Sequence, residues 1–364
     1  MPKLYLSAEA LTSNYRLLKE KTNGTLIPVL KADAYGHSAP FVLPTLYVEG
    51  AELFAVACAH EAKELLELIE KSKPSFAKTR ILIMGAVEEK ALFSLLCPHV
   101  ILSVHSPEYA RRLSRAVERL KASCLLPERF LLPVQLKLET GMYRLGLRSA
   151  ASVRSVLCLP HLHVEGVYSH LAHAADRNRT EEQRRHFLSF LPLLPDGLFT
   201  HLSASEGLLR YGDLSLCGAR AGLALYGVAP VGVASPLSPV MRFCARVLSV
   251  FTAKRGAHVG YGSIRTDKKR RLAVLDAGYA DGIPPHAGNG GRILLNGRPC
   301  PFFGAVCMDR STVDIEDTPL NEGDEITLFG EKAGDTAAFA AAAGVSPYVL
   351  LSLRSARTER VFLP

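Results

Sequence analysis

The sequence predicts an α/β protein: an N-terminal (β/α)8 TIM-type barrel followed by a mainly antiparallel β domain. Three observations lead there. Short apolar runs alternate with helical patterns through the first two-thirds of the 364 residues. That texture stops near residue 230, where Pro and Gly cluster and alternating runs take over. The length also exceeds what one core fills, since single cores stop growing at roughly 250–300 residues.

Taken in order, the candidate barrel strands are residues 26–32, 53–57, 81–84, 100–104, 134–138, 164–169 and 198–202. Continuous apolar runs joined by helices read as a parallel sheet buried on both faces. The stretches 8–21, 60–70 and 107–121 carry apolar residues at three- and four-residue spacing and read as helices. The eighth strand is either 216–220 or 223–226, and pattern does not choose between them. Eight such units close a barrel. Beyond it, residues 245–252, 272–275, 292–295, 302–306 and 326–329 read as strands, with Asn296-Gly297 as a hairpin signal. A helical tail, 335–357, breaks near Gly344. The division falls into 1–230, the cofactor-binding barrel, and 231–364, the β-rich domain.

Composition narrows the function. Hydrophobic residues make up 48% and charged residues 21%, which excludes global disorder. The net charge is +8, but the densest basic run, residues 268–271, is short and has no interleaved aromatics. It reads as a solvated loop, so no nucleic-acid partner is expected. No apolar run approaches the roughly 18 residues of a membrane span. The eight cysteines show no C-x-x-C spacing, and Cys58, Cys97 and Cys158 read as free buried thiols in a reducing compartment. Charged and polar residues recur throughout the first twenty, with no apolar signal core, which points to the cytoplasm. No His/Cys spacing suits a metal.

Lys31 stands out at the end of the first barrel strand, in VLKADAYGH. Barrel active sites lie at the C-terminal ends of the strands. A lysine that acts as a base or forms a Schiff base must titrate near 7 rather than about 10.4, a difference of roughly 4–5 kcal/mol. Burial beside other cations supplies that. On position alone, a strand-end lysine is more often a solvated one.

Eight motifs change that weighting. KADAYGH, LETGMYRLG (138–146), YSHLAHA (168–174), HLSAS (201–205), GARAGLALYG (218–227), VGYG (259–262), GYADG (278–282) and GAVCMD (304–309) occur in the order and approximate spacing of the bacterial alanine racemases. The chain resembles that family of pyridoxal 5'-phosphate enzymes (fold type III) over nearly its whole length.

The resemblance implies a barrel plus a β domain, and it implies roles. Lys31 would hold the cofactor covalently and serve as one of two bases. Tyr35, Ser205, Gly222 and Leu223 would meet the phosphate, Arg220 the pyridine nitrogen and His170 the ring. Arg144 would contact the phenolic oxygen and the substrate. Lys137 would be a carbamylated lysine bracing Arg144. Tyr348 and Tyr279 would line the cofactor and access channel. The Met308 amide, between Cys307 and Asp309, would bind the substrate carboxylate. Racemisation removes a proton from one face of the α-carbon and returns it on the other, so a second acid/base is needed. The resemblance gives that role to Tyr261 from a partner subunit, hence a homodimer with shared sites. A phenol titrates near 10 in water and needs a cationic setting to ionise near neutrality. Arg220 is a donor only and would leave the pyridine nitrogen unprotonated, which favours proton exchange over transamination. Without the motifs, each of these residues would read as structural.

Four positions depart from the family pattern. Glu139 replaces an aspartate, Ala204 an asparagine before the phosphate serine, Ala221 a proline and Ala305 an arginine of the channel. They leave room for a racemase of broader or different preference, such as serine or lysine. A non-catalytic cofactor-binding protein is a further alternative. None of the four departures touches Lys31, Tyr261 or Arg220. The reading is an isomerase that interconverts L- and D-alanine, with D-alanine supplying peptidoglycan precursors.

Overall fold

The strand β1 (Lys3–Ser7) opens the chain and pairs outside the barrel. The computed structural model describes residues 1–22, 24–72, 75–212, 216–295, 297–353 and 355–364. Eight parallel strands follow: β2 (Thr25–Pro28), β3 (Leu53–Val56), β4 (Arg80–Ile83), β5 (Val100–Val104), β6 (Leu132–Lys137), β7 (Leu162–Tyr168), β8 (Phe199–Ala204) and β9 (Gly218–Ala221). They lie in the order β2-β9-β8-β7-β6-β5-β4-β3. A bridge between Val29 and Ala55, with the Leu30 N–H donating to the Ala55 carbonyl at 2.8 Å, joins the two ends into a barrel. Every residue of β5 is buried, as expected of a strand covered on both faces. Of the two candidates for the eighth strand, 216–220 overlaps β9. Residues 222–227 form a turn of successive three-residue hydrogen bonds instead.

The second sheet is built from β10 (Met241–Ala253), β13 (Arg270–Leu275), β16 (Ser311–Asp314), β17 (Glu325–Phe329) and β18 (Glu359–Leu363), while β11 (His258–Val259) with β12 (Ile264–Arg265) and β14 (Arg292–Leu295) with β15 (Arg298–Pro301) form two hairpins. The sheet order is β16-β13-β10-β1-β18, with β17 also on β10. Irregularities in β10 at Phe243/Cys244 and Val247/Ser249 let one long strand serve several neighbours. β1 runs antiparallel to β10 and parallel to β18. The N-terminal strand thus sits in the second sheet, although the sequence division places it with the barrel.

Several expectations need correction. The predicted strand 26–32 ends at Pro28, so Lys31 lies beyond the strand. Residues 302–306 are no strand: Phe302 makes a single bridge to Val313, and Gly304 turns the chain with φ +80°. β1, β11, β12, β15, β16 and β18 have no counterpart among the strands expected from the sequence. The hairpin residue Asn296 lies outside the described residues, but β14 and β15 pair antiparallel on either side of it. The tail is two helices, Asp335–Ala342 and Pro347–Ser352, parted at Gly344 with φ +68°. The cysteines are free, but Cys58 and Cys158 are exposed and Cys97 half-buried; only Cys244 and Cys300 are buried. Cys58 and Cys158 cap the ends of helices Ala59–Lys71 and Ala150–Leu157, where side chains face solvent rather than the core.

Candidate active site

Residues 32–35 follow Lys31 in a left-handed turn, with φ between 51° and 55° at Ala32, Asp33, Ala34 and Tyr35. For residues with a Cβ this conformation costs about 1–2 kcal/mol each, so neighbours must impose it. They do. The Ala32 N–H donates to Glu61 Oε1 at 2.7 Å. Glu61 Oε2 also accepts from Ala57 N–H at 2.7 Å, tying this segment to the loop after β3. Asp33 Oδ1 accepts from Ala39 N–H at 2.7 Å, and Oδ2 pairs with Arg360 at 2.7 Å. His37 Nδ1 lies 3.1 Å from the Ala34 carbonyl and 2.9 Å from that of Tyr35.

The turn aims Lys31 and Tyr35 into a cavity of about 450 Å³ at the C-terminal ends of the strands. Lys31, Lys137, Arg144 and Arg220 line it, against one carboxylate, Glu206. Burial, then Arg144 and Arg220, lower the Lys31 amine below its ordinary range, with Glu61 opposing. Burial, Arg144 and Arg220 lower Lys137 to about 8, against Glu139.

Arg220, on β9, is buried. Its Nη2 donates to the carbonyls of Ser169 at 2.7 Å and Leu202 at 3.1 Å and reaches His170 Nδ1 at 3.2 Å, while Nη1 bonds His201 Nδ1. An arginine only donates, so both Nδ1 atoms accept. His201 then donates from Nε2 to Gln135 Oε1 at 2.8 Å. Burial pulls Arg220 down to about 10, still cationic at neutrality. Burial, Arg220 and Arg144 push His170 to about 3, so its imidazole is neutral. Tyr168 lies flat on His201, 4.8 Å between rings, under the Arg220 guanidinium.

Glu139 positions Arg144. Burial alone would raise its carboxyl; backbone N–H groups of residues 141–144 outweigh that and hold it below the usual range. It accepts from Gly141 and Met142 at 2.7 Å and from Arg144 at 3.0 Å. The longer glutamate therefore still closes this loop. Ser205 Oγ accepts from the N–H groups of Gly222 at 3.0 Å and Ala224 at 3.2 Å. A Cβ on Gly222 would stand 2.6 Å from Tyr35 Oη, so only glycine admits that phenol. Leu223 and Tyr348 complete the wall, with Tyr348 6.1 Å from the Tyr35 ring. Ala204 leaves the helix Ser205–Tyr211 without a side-chain cap.

Of the site residues of the second domain, Tyr348 lines this cavity, whereas Tyr261, Tyr279 and Met308 do not. Tyr261 is 75% exposed at the tip of the β11–β12 hairpin. Tyr279 and Met308 are 43% and 53% exposed, and the Tyr279 and Ala280 N–H groups donate to the Cys307 and Met308 carbonyls. Arg357 braces this face through Asp281 and Asp309, both at 2.8 Å. Ala305 is exposed. Within one chain, then, Lys31 and Tyr261 do not share a site.

Sequence reasoning missed Glu61, Asp33, Tyr168 and His201 as parts of the site. Glu61 closes a capping box whose N-cap is Cys58 rather than Ser or Thr, so the usual signature is absent.

The donor set fits pyridoxal phosphate: an amine of lowered pKa, hydroxyls and amides at one end of the cavity, and an excess of cations for a phosphate ester. Residues 6–230 match the family described as alanine racemase, N-terminal domain, and residues 240–362 its C-terminal domain. The chain is 34% identical to the alanine racemase of Xylella fastidiosa (strain 9a5c), over 95% of this chain and 93% of that one. It superposes on the biosynthetic alanine racemase of Pseudomonas aeruginosa with TM-score 0.87 at 31% identity, over 99% of each chain. It superposes likewise on the Bartonella henselae enzyme with covalently bound pyridoxal phosphate, TM-score 0.88 at 26% identity, over 100% and 99%. None of these matches favours a serine or lysine racemase or a non-catalytic protein. Barrel, β domain and cavity together place the chain in the alanine racemase family, a pyridoxal-phosphate-dependent isomerase.

Proposed function

We propose that the chain interconverts L- and D-alanine in the cytoplasm as a homodimer, with Lys31 and the partner subunit's Tyr261 as the two bases. The observation that carries this is Lys31, its amine shifted down, in one cavity with Arg220 and the Tyr35–Ser205–Gly222 cluster. When bound, pyridoxal phosphate supplies a conjugated electron sink that acidifies the α-proton of an amino acid. Lys31 Nζ takes or returns that proton on one face. Tyr261 Oη serves the other face, and its exposure leaves it free to enter a neighbour's cavity. Tyr35, Ser205, Gly222 and Leu223 would hold the phosphate end. Arg220 has both Nη atoms engaged by the protein and would offer its Nε–H to the pyridine nitrogen. Still cationic at neutrality, Arg220 would donate a hydrogen bond without giving up its proton, which would keep the sink modest and the proton traffic reversible. His170, neutral, would pack on the ring. Arg144 would meet the phenolic oxygen and the substrate carboxylate, aided by the partner's Met308 amide between Cys307 and Asp309. Tyr279 and Tyr348 narrow the channel.

The test uses two variants. Lys31→Ala is expected to abolish both activity and the visible absorbance of bound cofactor, and borohydride is expected to fix the cofactor to the Lys31 peptide of the parent protein. Tyr261→Phe is expected to bind cofactor and lose racemisation, with solvent-deuterium exchange at the α-carbon most reduced from L-alanine. A yellow, active Lys31→Ala protein overturns the reading.

A further inference from the structure

We propose that Arg360, in the last strand of the second domain, is a positioning residue for the cofactor lysine, acting through Asp33 on the left-handed turn. The inference rests on the function proposed above. Arg360 and Phe362 are two apart on β18 and so project to one face. Arg360 Nη2 bonds Asp33 Oδ2 at 2.7 Å, and the Phe362 ring lies 5.0 Å from that of Phe41. Both contacts land on the segment that follows Lys31.

Asp33 is at the centre of that segment. Its Oδ1 accepts from the Ala39 N–H, and its carbonyl accepts from the Ser38 N–H at 3.0 Å. Ser38 gives no side-chain cap to the helix Ala39–Val48, so the Asp33 carboxylate takes that part. One oxygen thus fixes the turn to the barrel helix and the other fixes it to the second domain. Glu61 holds the opposite end at Ala32. Four successive residues at positive φ have no glycine to relax them, so the turn keeps its shape only while both ends are held. Lys31 enters this turn and Tyr35 leaves it, and these two carry the covalent and phosphate ends of the cofactor site.

The pair is partly solvated, with side chains 31% and 40% exposed. Such pairs add little to global stability. Its effect is expected locally, at Lys31 and Tyr35, rather than in the melting temperature.

The experiment compares Arg360→Gln, Asp33→Asn, the double variant and Arg360→Lys. Three readouts are taken: the Kd of pyridoxal phosphate for the cofactor-free protein, the pH midpoint of the bound cofactor's visible absorbance, and amide hydrogen exchange at residues 34–37 without cofactor. Arg360→Gln and Asp33→Asn are each expected to weaken binding about tenfold, shift the midpoint and speed the exchange, with an unchanged melting temperature. The double variant is expected to match either single one, as for a directly coupled pair. Arg360→Lys is expected to restore most of the binding. Folded variants with parental Kd, midpoint and exchange overturn the proposal, as do effects that simply add. If Arg360→Gln does not fold, Arg360→Lys and Asp33→Asn decide alone. A parental protein that takes up no cofactor would instead overturn the functional reading.

Discussion

Lys137 shows how a single residue's surroundings set its chemistry. It ends β6, buried, with its amine 5.8 Å above the Tyr168 ring and cations on either side. Burial, Arg144 and Arg220 bring it from 10.5 to about 8. An amine reacts with carbon dioxide only when neutral, so its neutral fraction reaches one half near pH 8 instead of above pH 10. Carbamylation reverses its charge and matches it to Arg144. The prediction is that, at fixed dissolved carbon dioxide, a 13C-carbamate signal at Lys137 grows as pH rises through about 8. Lys137→Ala is expected to remove the signal. The sign for stability follows: between pH 8 and 10.5 the unfolded chain binds more protons at this position, so its contribution rises with pH across that window. A carbamate that formed only above pH 10 would show that neither burial nor the neighbouring cations lower Lys137.

The same logic governs elements, where one buried side chain can hold several segments. Asn14, on the helix Ala8–Glu20, is 1% exposed. Its Nδ2 donates to the carbonyls of Leu225 at 3.1 Å and Ser238 at 2.7 Å, and its Oδ1 accepts from Ser238 N–H at 2.9 Å. The helix thereby fixes both the turn that carries Gly222 and Leu223 and the lead into β10. Asn14→Leu would leave two carbonyls and an amide unpaired, and the expected loss is about 3 kcal/mol in urea unfolding, with weaker cofactor binding. A loss below about 1 kcal/mol would show that water replaces these bonds. Elements also show what the sequence could and could not disclose. The barrel strands were legible because buried parallel strands are continuous apolar runs, as in Val100–Val104. β1 and β18 were not: each is five residues of mixed polarity, and they pair across almost the whole chain length. The motif-borne residues Lys31, Arg220 and Ser205 gather in one cavity, so its position was legible from the motifs. The left-handed turn was hidden because Ala-Asp-Ala-Tyr contains no glycine to announce positive φ. The Asp33–Arg360 contact spans 327 positions, beyond any local pattern.

At the scale of the whole molecule, the second sheet holds both chain ends together. β1 lies between β10 and β18, and from it the chain passes directly through Ser7 into the helix bearing Asn14. The barrel and the β domain are therefore joined twice, by covalent connection at residue 7 and near residue 240. Such a molecule presents two complementary features: a cationic cavity with Lys31 inside it, and a separate exposed face with Tyr261, Tyr279 and Met308. If function needs both, it needs two copies, each lending its exposed face to the other's cavity. That arrangement makes a quantitative prediction. Lys31→Ala lacks the base of the cavity but offers an intact Tyr261; Tyr261→Phe has the opposite fault. A heterodimer of the two has one site with neither base and one site with both. Random reassortment makes half the dimers mixed, and half of their sites whole, so mixing two inactive variants after reversible dissociation is expected to recover about one quarter of the parental activity. Recovery should follow the kinetics of subunit exchange measured by differently labelled chains. No recovery despite exchange would mean that each site draws both bases from one chain.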